Sequence, residues 1–268
     1  MTEEIIPRKI KFTPGDFPRH WLRNSPLYTH FCNTFTLLFP GAESFFLRSV
    51  RPFLSDCPPE FRENIKKFMI QETNHSRVHL QLISVLKNQG YRVDEFLNFY
   101  SFLLFDVLEK ILGDRMNLSL TAGFEHFTAM FAELALKGNL LENGDPDLIA
   151  VFKWHCLEEL NHKSVAYDVL VQSGISYPER ALGMSIALFL FSTFTGLGVF
   201  QFLFQDESID WTENFQEFGR FMTLGGVGES ILRRYLEYFN PDFHPENHDT
   251  SDLMSRTIFE LKDSLIPY

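Results

Sequence analysis

Four glutamates, two of them followed three residues later by a histidine, set the strongest limit on what this chain can fold into. They are Glu43 in PGAESFF, Glu72 with His75 in QETNHSRVH, Glu125 in FEHFTA, and Glu159 with His162 in HCLEELNHK. Each lies in a stretch with helical periodicity and takes a position on the apolar side of its helix. Residues three apart on an α-helix differ by about 60° in azimuth and about 4.5 Å in height. Each Glu-x-x-His pair can therefore reach a single ion. A carboxylate on a core face is costly unless it is paired or bound to a metal. Buried Glu–His hydrogen-bonded pairs are the plain alternative; the metal reading rests on the full set.

The chain divides around these positions. Residues 1–24, with Pro7, Pro14, Gly15 and Pro18, read as an irregular arm. Ser25-Pro26 opens a first helix toward Val50, with Pro40-Gly41 predicting a kink or restart just before Glu43. A second helix runs from about Pro59 to Asn88 and stops at Gly90. Residues 92–112 form an apolar helical connector, Asp114 caps a third helix ending at Gly138-Asn139, and Asp145-Pro146 caps a fourth that Gly174 ends. Further helical stretches follow at 181–204, about 208–223 and about 227–239, with a surface helix in the last fifteen or so residues. The expected fold is all-α: residues 25–240 form one helical metal-binding domain, and 241–268 a C-terminal tail. Two helices with single glutamates and two with Glu-x-x-His are the ligand set of a ferritin-like four-helix bundle, here with additional C-terminal helices.

Other ionisable groups compete for places near the centre. His79 lies one turn after His75 on the same face, and His155 precedes Glu159 by four. Both are candidate ligands or catalytic groups, His79 ahead of His155, with a cavity-lining role as the alternative. Glu158 is also four residues from His162. The motif register makes Glu159 the ligand and leaves Glu158 to accept a hydrogen bond from a ligating imidazole, or to act as general base. His126 is rotated about 100° from Glu125 and reads as packed or hydrogen-bonded to a neighbouring helix. His244, between Phe243 and Pro245, reads as structural. Carboxylates with imidazoles and no thiolate suit two ions of Fe, with Mn and Zn as alternatives.

Composition narrows the class further. The net charge of −11 argues against nucleic acid. Cys32, Cys57 and Cys156 are widely spaced, which fits an intracellular reducing compartment, and MTEEIIPRKIKF does not read as a secretory signal. Phe contributes 30 residues, enough for a thick core or an apolar cavity. Ala181–Phe204 carries no charge and is long enough to span a bilayer core of about 30 Å. Its glycines and hydroxyl residues, and the acidic Asp206-Glu207 flank, argue for a helix packed on the bundle instead. The expectation is a cytoplasmic protein that touches a membrane at most peripherally, with this helix shaping a pocket for an apolar or acyl substrate.

The strings FPGAESFFLRSVR, FMIQETNHSRVH, FEHFTA, WHCLEELNHKSVAYDV and FNPDFHP resemble a bacterial family called predicted metal-dependent hydrolases, over residues from about 20 to 250. The resemblance implies a ferritin-like helical fold with metal held by the Glu and His residues named above. Three functions are compatible with such a centre. The first is di-iron activation of O2 to oxidise an apolar or acyl substrate, served by an electron-donor protein. The second is metal-dependent hydrolysis by a metal-activated water. The third is a non-catalytic metal-binding or storage bundle. Oligomeric state is open, and self-association is compatible with each.

Overall fold

The computed structural model describes residues 4–138, 140–207, 209–223 and 227–267. Asn139 and Ser208, at two expected helix ends, lie outside the described residues. The first helix, α1 (Pro26–Val50), opens where Ser25 Oγ accepts from Tyr28 N at 3.3 Å. A short 3₁₀ turn, Arg51–Asp56, reverses the chain into α2 (Pro59–Asn88). Gly90 ends α2 at φ 93°, and Tyr91 N donates back to Leu86 O at 3.2 Å. The next helix, α3 (Asp94–Ser101), runs into a π-helical segment, Phe102–Leu108, which leads to α4 (Glu109–Lys137). Gly113, at φ 72°, separates the first turn of α4 from the rest. Asp145 caps α5 (Pro146–His162), accepting from Asp147 N and Leu148 N, each at 3.1 Å.

Short connections make α1 and α2 one adjacent pair and α4 and α5 another, and contacts between the pairs close a common core. The protein is all-α apart from one small sheet. Several helix boundaries differ from the sequence reading: α4 begins at Glu109, upstream of the expected Asp114 cap, and the helix expected from Ala181 begins at Tyr177. Pro40 and Gly41 do not interrupt α1, which is one helix from Pro26 to Val50. Gly41 fits there because Phe105 and Tyr100 pack within 2.8 and 3.0 Å of where its Cβ would stand. The fourth helix is split at Lys163-Ser164, and α6 (Val165–Gln172) continues to Gly174, at φ 62°. Lys163 turns inward there, its Nζ donating to His248 O at 2.5 Å.

After α6, α7 (Tyr177–Leu203) is long and apolar enough to cross a membrane. One face packs across α1 and α4, burying Met184, Ala187, Leu190, Phe194 and Phe202, while Leu182, Phe189, Leu197 and Phe200 are exposed. Small residues set the approach. A Cβ on Gly183 would stand 2.5 Å from Ser119 Cβ, and one on Gly198 would overlap Thr34. Beyond α7 come α8 (Trp211–Thr223), α9 (Val227–Tyr238) and α10 (Ser251–Glu260).

The arm is more ordered than its prolines suggest. Its β1 (Arg8–Ile10) pairs antiparallel with β2 (Leu265–Pro267), Lys9 opposite Ile266. Ile5, Trp21 and Leu22 are buried, and Trp21 stacks on Phe152 at 5.4 Å. Asp206 is a buried anchor and not a free acidic flank. Its Oδ1 accepts from Arg19 Nε at 2.7 Å and Tyr91 OH at 2.8 Å, and its Oδ2 contacts the Nε2 atoms of His20 and His30, both at 2.6 Å. Burial alone would raise its pKa, but these donors hold the carboxyl well below the usual range. One carboxylate thereby ties the arm, α1, the corner after α2 and the end of α7 together.

Two stability predictions follow from these contacts. Gly183→Ala should destabilise the fold by about 1–3 kcal/mol through overpacking. Gly196→Ala, where nothing lies within 4 Å of the new Cβ, should stabilise it by about 0.5–1 kcal/mol. Urea unfolding of both variants checks the pair. Asp206→Asn should cost about 1.5–3 kcal/mol, the usual worth of hydrogen bonds to a charged group; thermal melts would read this as a lower Tm.

Candidate metal centre

The four principal helices bring all four glutamates and both Glu-x-x-His histidines into one buried cluster. Glu43 comes from α1, Glu72 and His75 from α2, Glu125 from α4, and Glu159 and His162 from α5, each at most 4% exposed. His162 Nε2 lies 3.1 Å from Glu72 Oε1, 3.4 Å from Glu125 Oε2 and 3.6 Å from Glu159 Oε2. His75 Nδ1 lies 3.6 Å from Glu72 Oε1 and 3.9 Å from Glu159 Oε1. His155 belongs with them: its Nε2 is 2.9 Å from Glu159 Oε1 and 3.8 Å from Glu43 Oε1. Three overlapping sets have the spacing to hold a cation: Glu43 with His75 and His155, Glu72 with His75 and Glu159, and Glu72 with Glu125 and His162. Glu72 and Glu159 thus stand between the imidazoles, with Glu43 and Glu125 at the two ends. Because α2 and α5 face each other across the core, Glu72 lies closer to His162 of α5 than to its own His75, and Glu159 reaches His75 as well as the histidines of its own helix.

The outward nitrogen of each imidazole has a partner, which orients its ring toward the cluster. His75 Nε2–H donates to Glu158 Oε2 at 3.0 Å, and Glu158 Oε1 accepts from Arg8 N at 2.6 Å. His162 Nδ1–H donates to Gln71 Oε1 at 3.1 Å. His155 Nδ1 meets His79 Nε2 at 2.8 Å, and His79 Nδ1 meets Thr36 Oγ1 at 3.1 Å. His79 is therefore placed differently from the expectation: it backs His155 and joins none of the three sets, so the two histidines exchange the ranks that spacing gave them. Glu158, fully buried, accepts one hydrogen bond at each oxygen and orients His75. His126 Nε2 meets Arg234 O at 3.0 Å, and His244 Nε2 meets Asp168 at 2.8 Å, both away from the cluster.

Apart from His155 Nε2 and Glu159 Oε1, 2.9 Å apart, the inward atoms have no such partners. Glu43 Oε1, both oxygens of Glu72 and of Glu125, Glu159 Oε2, His75 Nδ1 and His162 Nε2 are buried without a hydrogen bond. Acceptors facing acceptors in a dry interior repel, and this density of unsatisfied groups needs an explanation. A cation supplies it; the residues fit a metal. In the bare chain only protons can relieve the cluster. Burial pushes Glu43 and Glu72 up and Glu125 up to about 8. Burial would lower His75, but its bonds to Glu158 and Glu72 raise it to about 10. Burial and the neighbouring His75 bring His155 down to about 4.

Gln71, Ser76 and Thr36 complete the surroundings and were not singled out as supports from the sequence. Ser76 Oγ donates to Glu43 Oε2 at 2.6 Å. Gln71 stands four residues before His75 on the same face, a signal that spacing did carry. The His20–His30–Asp206 group also has ligand spacing, but its carboxylate already accepts from four donors. Asp206 lies 176 positions from His30, so no local motif announces it.

An all-α core enclosing a carboxylate–imidazole cluster defines a metal-binding helical protein. Sequence comparison names the family: the model for predicted metal-dependent hydrolases matches residues 6–249. The chain belongs to that family. No curated protein and no solved structure matches it significantly.

Removing Glu72 or Glu159 by substitution with Ala should leave at least one metal position empty, because each stands between two imidazole groups. Elemental analysis of the purified variants checks this; full occupancy in both would remove them from the ligand set. His79→Ala should weaken metal affinity by about 10–100-fold without emptying the site at saturating metal, as expected for a group that orients a ligand.

Proposed function

We propose that this chain holds a pair of divalent metal ions in the Glu/His cluster and uses them to hydrolyse an apolar small molecule. The unpartnered, mutually facing donor atoms carry the metal assignment, and family membership supports hydrolysis. Glu43, His75, His155 and Glu159 would hold one ion, and Glu72, Glu125 and His162 the other. The helices then form a bundle of the ferritin-like carboxylate kind. Iron is the expected metal, with manganese and zinc as alternatives.

When bound, the ions would supply Lewis-acid activation of water and of a carbonyl or phosphoryl oxygen. The chain's own residues bind, orient and exclude water. A pocket of about 80 Å³ reaches the cluster at His155 and Glu159, with Phe35 and Phe39 on its wall. Substrate meets the centre on that side. The apolar wall keeps bulk water out and strengthens each charge interaction inside. The line from His155 through His79 to Thr36 holds one imidazole in a fixed orientation, while Glu158 and the Arg8 amide hold another.

The character of this pocket favours a second reading, di-iron oxidation of an apolar substrate by O2 with an electron-donor protein. Most of its lining is aliphatic or aromatic, which suits an oxidant that must be shielded from water. Peripheral membrane contact of a cytoplasmic protein is part of the proposal too, supported by the exposed apolar row Leu182, Phe189, Leu197 and Phe200 on α7.

The two readings separate on purified protein. Hydrolysis predicts about two ions per chain, turnover of apolar esters that chelation abolishes and added Mn or Zn restores, and rates equal with and without O2. Iron with substrate-dependent O2 uptake and no ester turnover would replace hydrolysis by oxidation.

A further inference from the structure

The pocket at the metal cluster adjoins a second one, with which it shares part of its lining. An outer compartment of about 320 Å³ lies between α7 and α8, bounded in part by Val199, Trp211 and Phe215. Phe31, Phe131 and Phe191 line both spaces. These rings stand close: Phe31 and Phe131 at 6.0 Å, Phe131 and Phe191 stacked at 5.4 Å between centroids. They form the wall where the two compartments meet. On α1, Phe31, Phe35, Phe39 and Glu43 follow one another at steps of four, which places them in one row along the helix. The row leads from the outer compartment to the cluster, ending with Phe39 at 4.3 Å from the His155 ring.

We infer that the substrate of this centre carries a single linear alkyl chain laid along that row. Its reacting end lies at His155 and Glu159 and its tail in the outer compartment. The position of the reacting end rests on the metal-enzyme reading above; the binding of the chain does not.

Three observations select a chain over other apolar ligands. The inner pocket, about 80 Å³, is smaller than a cavity that takes one benzene ring, about 150 Å³. It admits a chain and stops a fused ring system. The outer compartment has the volume of a ligand site and no charged residue on its wall, so it holds the tail and not an ionic head. Its polar lining is neutral, from Ser192, Thr195 and Asn214. Finally, Gly196 of α7 lines the outer compartment, and no atom lies within 4 Å of where its Cβ would stand. Space is left there by the absence of a side chain in a helix where other glycines serve close packing.

Calorimetric titration with n-alkanols of increasing length, on metal-free and metal-loaded protein, tests the inference. Affinity should rise about fourfold per added methylene, the factor that corresponds to burying one such group, until the compartments are filled, and then level off. Gly196→Leu, which projects a side chain into open space and so keeps the fold, should move the levelling point to shorter alkanols and leave short-chain affinity unchanged. Affinity independent of length, the same levelling point in Gly196→Leu, or binding of a sterol as tight as the best alkanol would each overturn the inference. Length-dependent binding by a protein that takes up no metal would support the chain site and sink the metal-enzyme reading, so the two failures are distinct.

Discussion

The rest of the structure is arranged around a repulsion. Four carboxylates and three imidazoles turn their inward atoms toward one another in the buried centre of the core. Isolated charges in such surroundings are costly enough to shift their protonation or demand a counter-ion. The helices do not avoid this cost; they enforce it. The outward nitrogens of the three imidazoles and one oxygen of Glu43 are tied to neighbours, Glu158, Gln71, His79 and Ser76, so these groups cannot turn away. A site held this rigidly against its own charges is pre-organised for cations, and binding them contributes directly to folding.

The aromatic content has a related explanation. Phe31, Phe35 and Phe39 occupy the same row of α1 as Glu43, so a single helix carries both the access path and one end of the cluster. Phe rings are large and rigid, and their partial exposure to the cavities leaves a dry passage and not a filled core. Small residues do the opposite job elsewhere. Gly183 and Gly198 let α7 approach α4 and α1 closely, which fixes the roof of that passage. Large and small residues thus divide the work between opening space and closing it.

Much of this was legible in the sequence because local periodicity carries it. Glu43, Glu72, His75, Glu125, Glu159 and His162 each sit mid-helix on an apolar face, and a 3.6-residue repeat suffices to point them inward. The caps at Ser25 and Asp145 and the stops at Gly90 and Gly174 are equally local. What spacing could not give is which atoms meet across helices. It ranked His79 above His155, because both lie on inward faces and only the depth of each helix against its neighbour separates them. Nor does it tell which carboxylates stand between the imidazoles, because the crossing of α2 and α5 is a tertiary fact. Asp206 was read as an acidic flank because its four donors come from distant segments. The pairing of Arg8–Ile10 with Leu265–Pro267 escaped for the same reason.

That small sheet has a temporal consequence. The arm reaches the centre through Arg8, whose amide holds Glu158 and through it His75. Its strand is held by residues 265–267, which leave the ribosome long after every helix that carries a ligand. Chains fold in the direction of synthesis, at about 5–20 residues per second. The ligand-bearing helices can therefore gather before the arm has its partner, leaving that side of the cluster uncovered for many seconds.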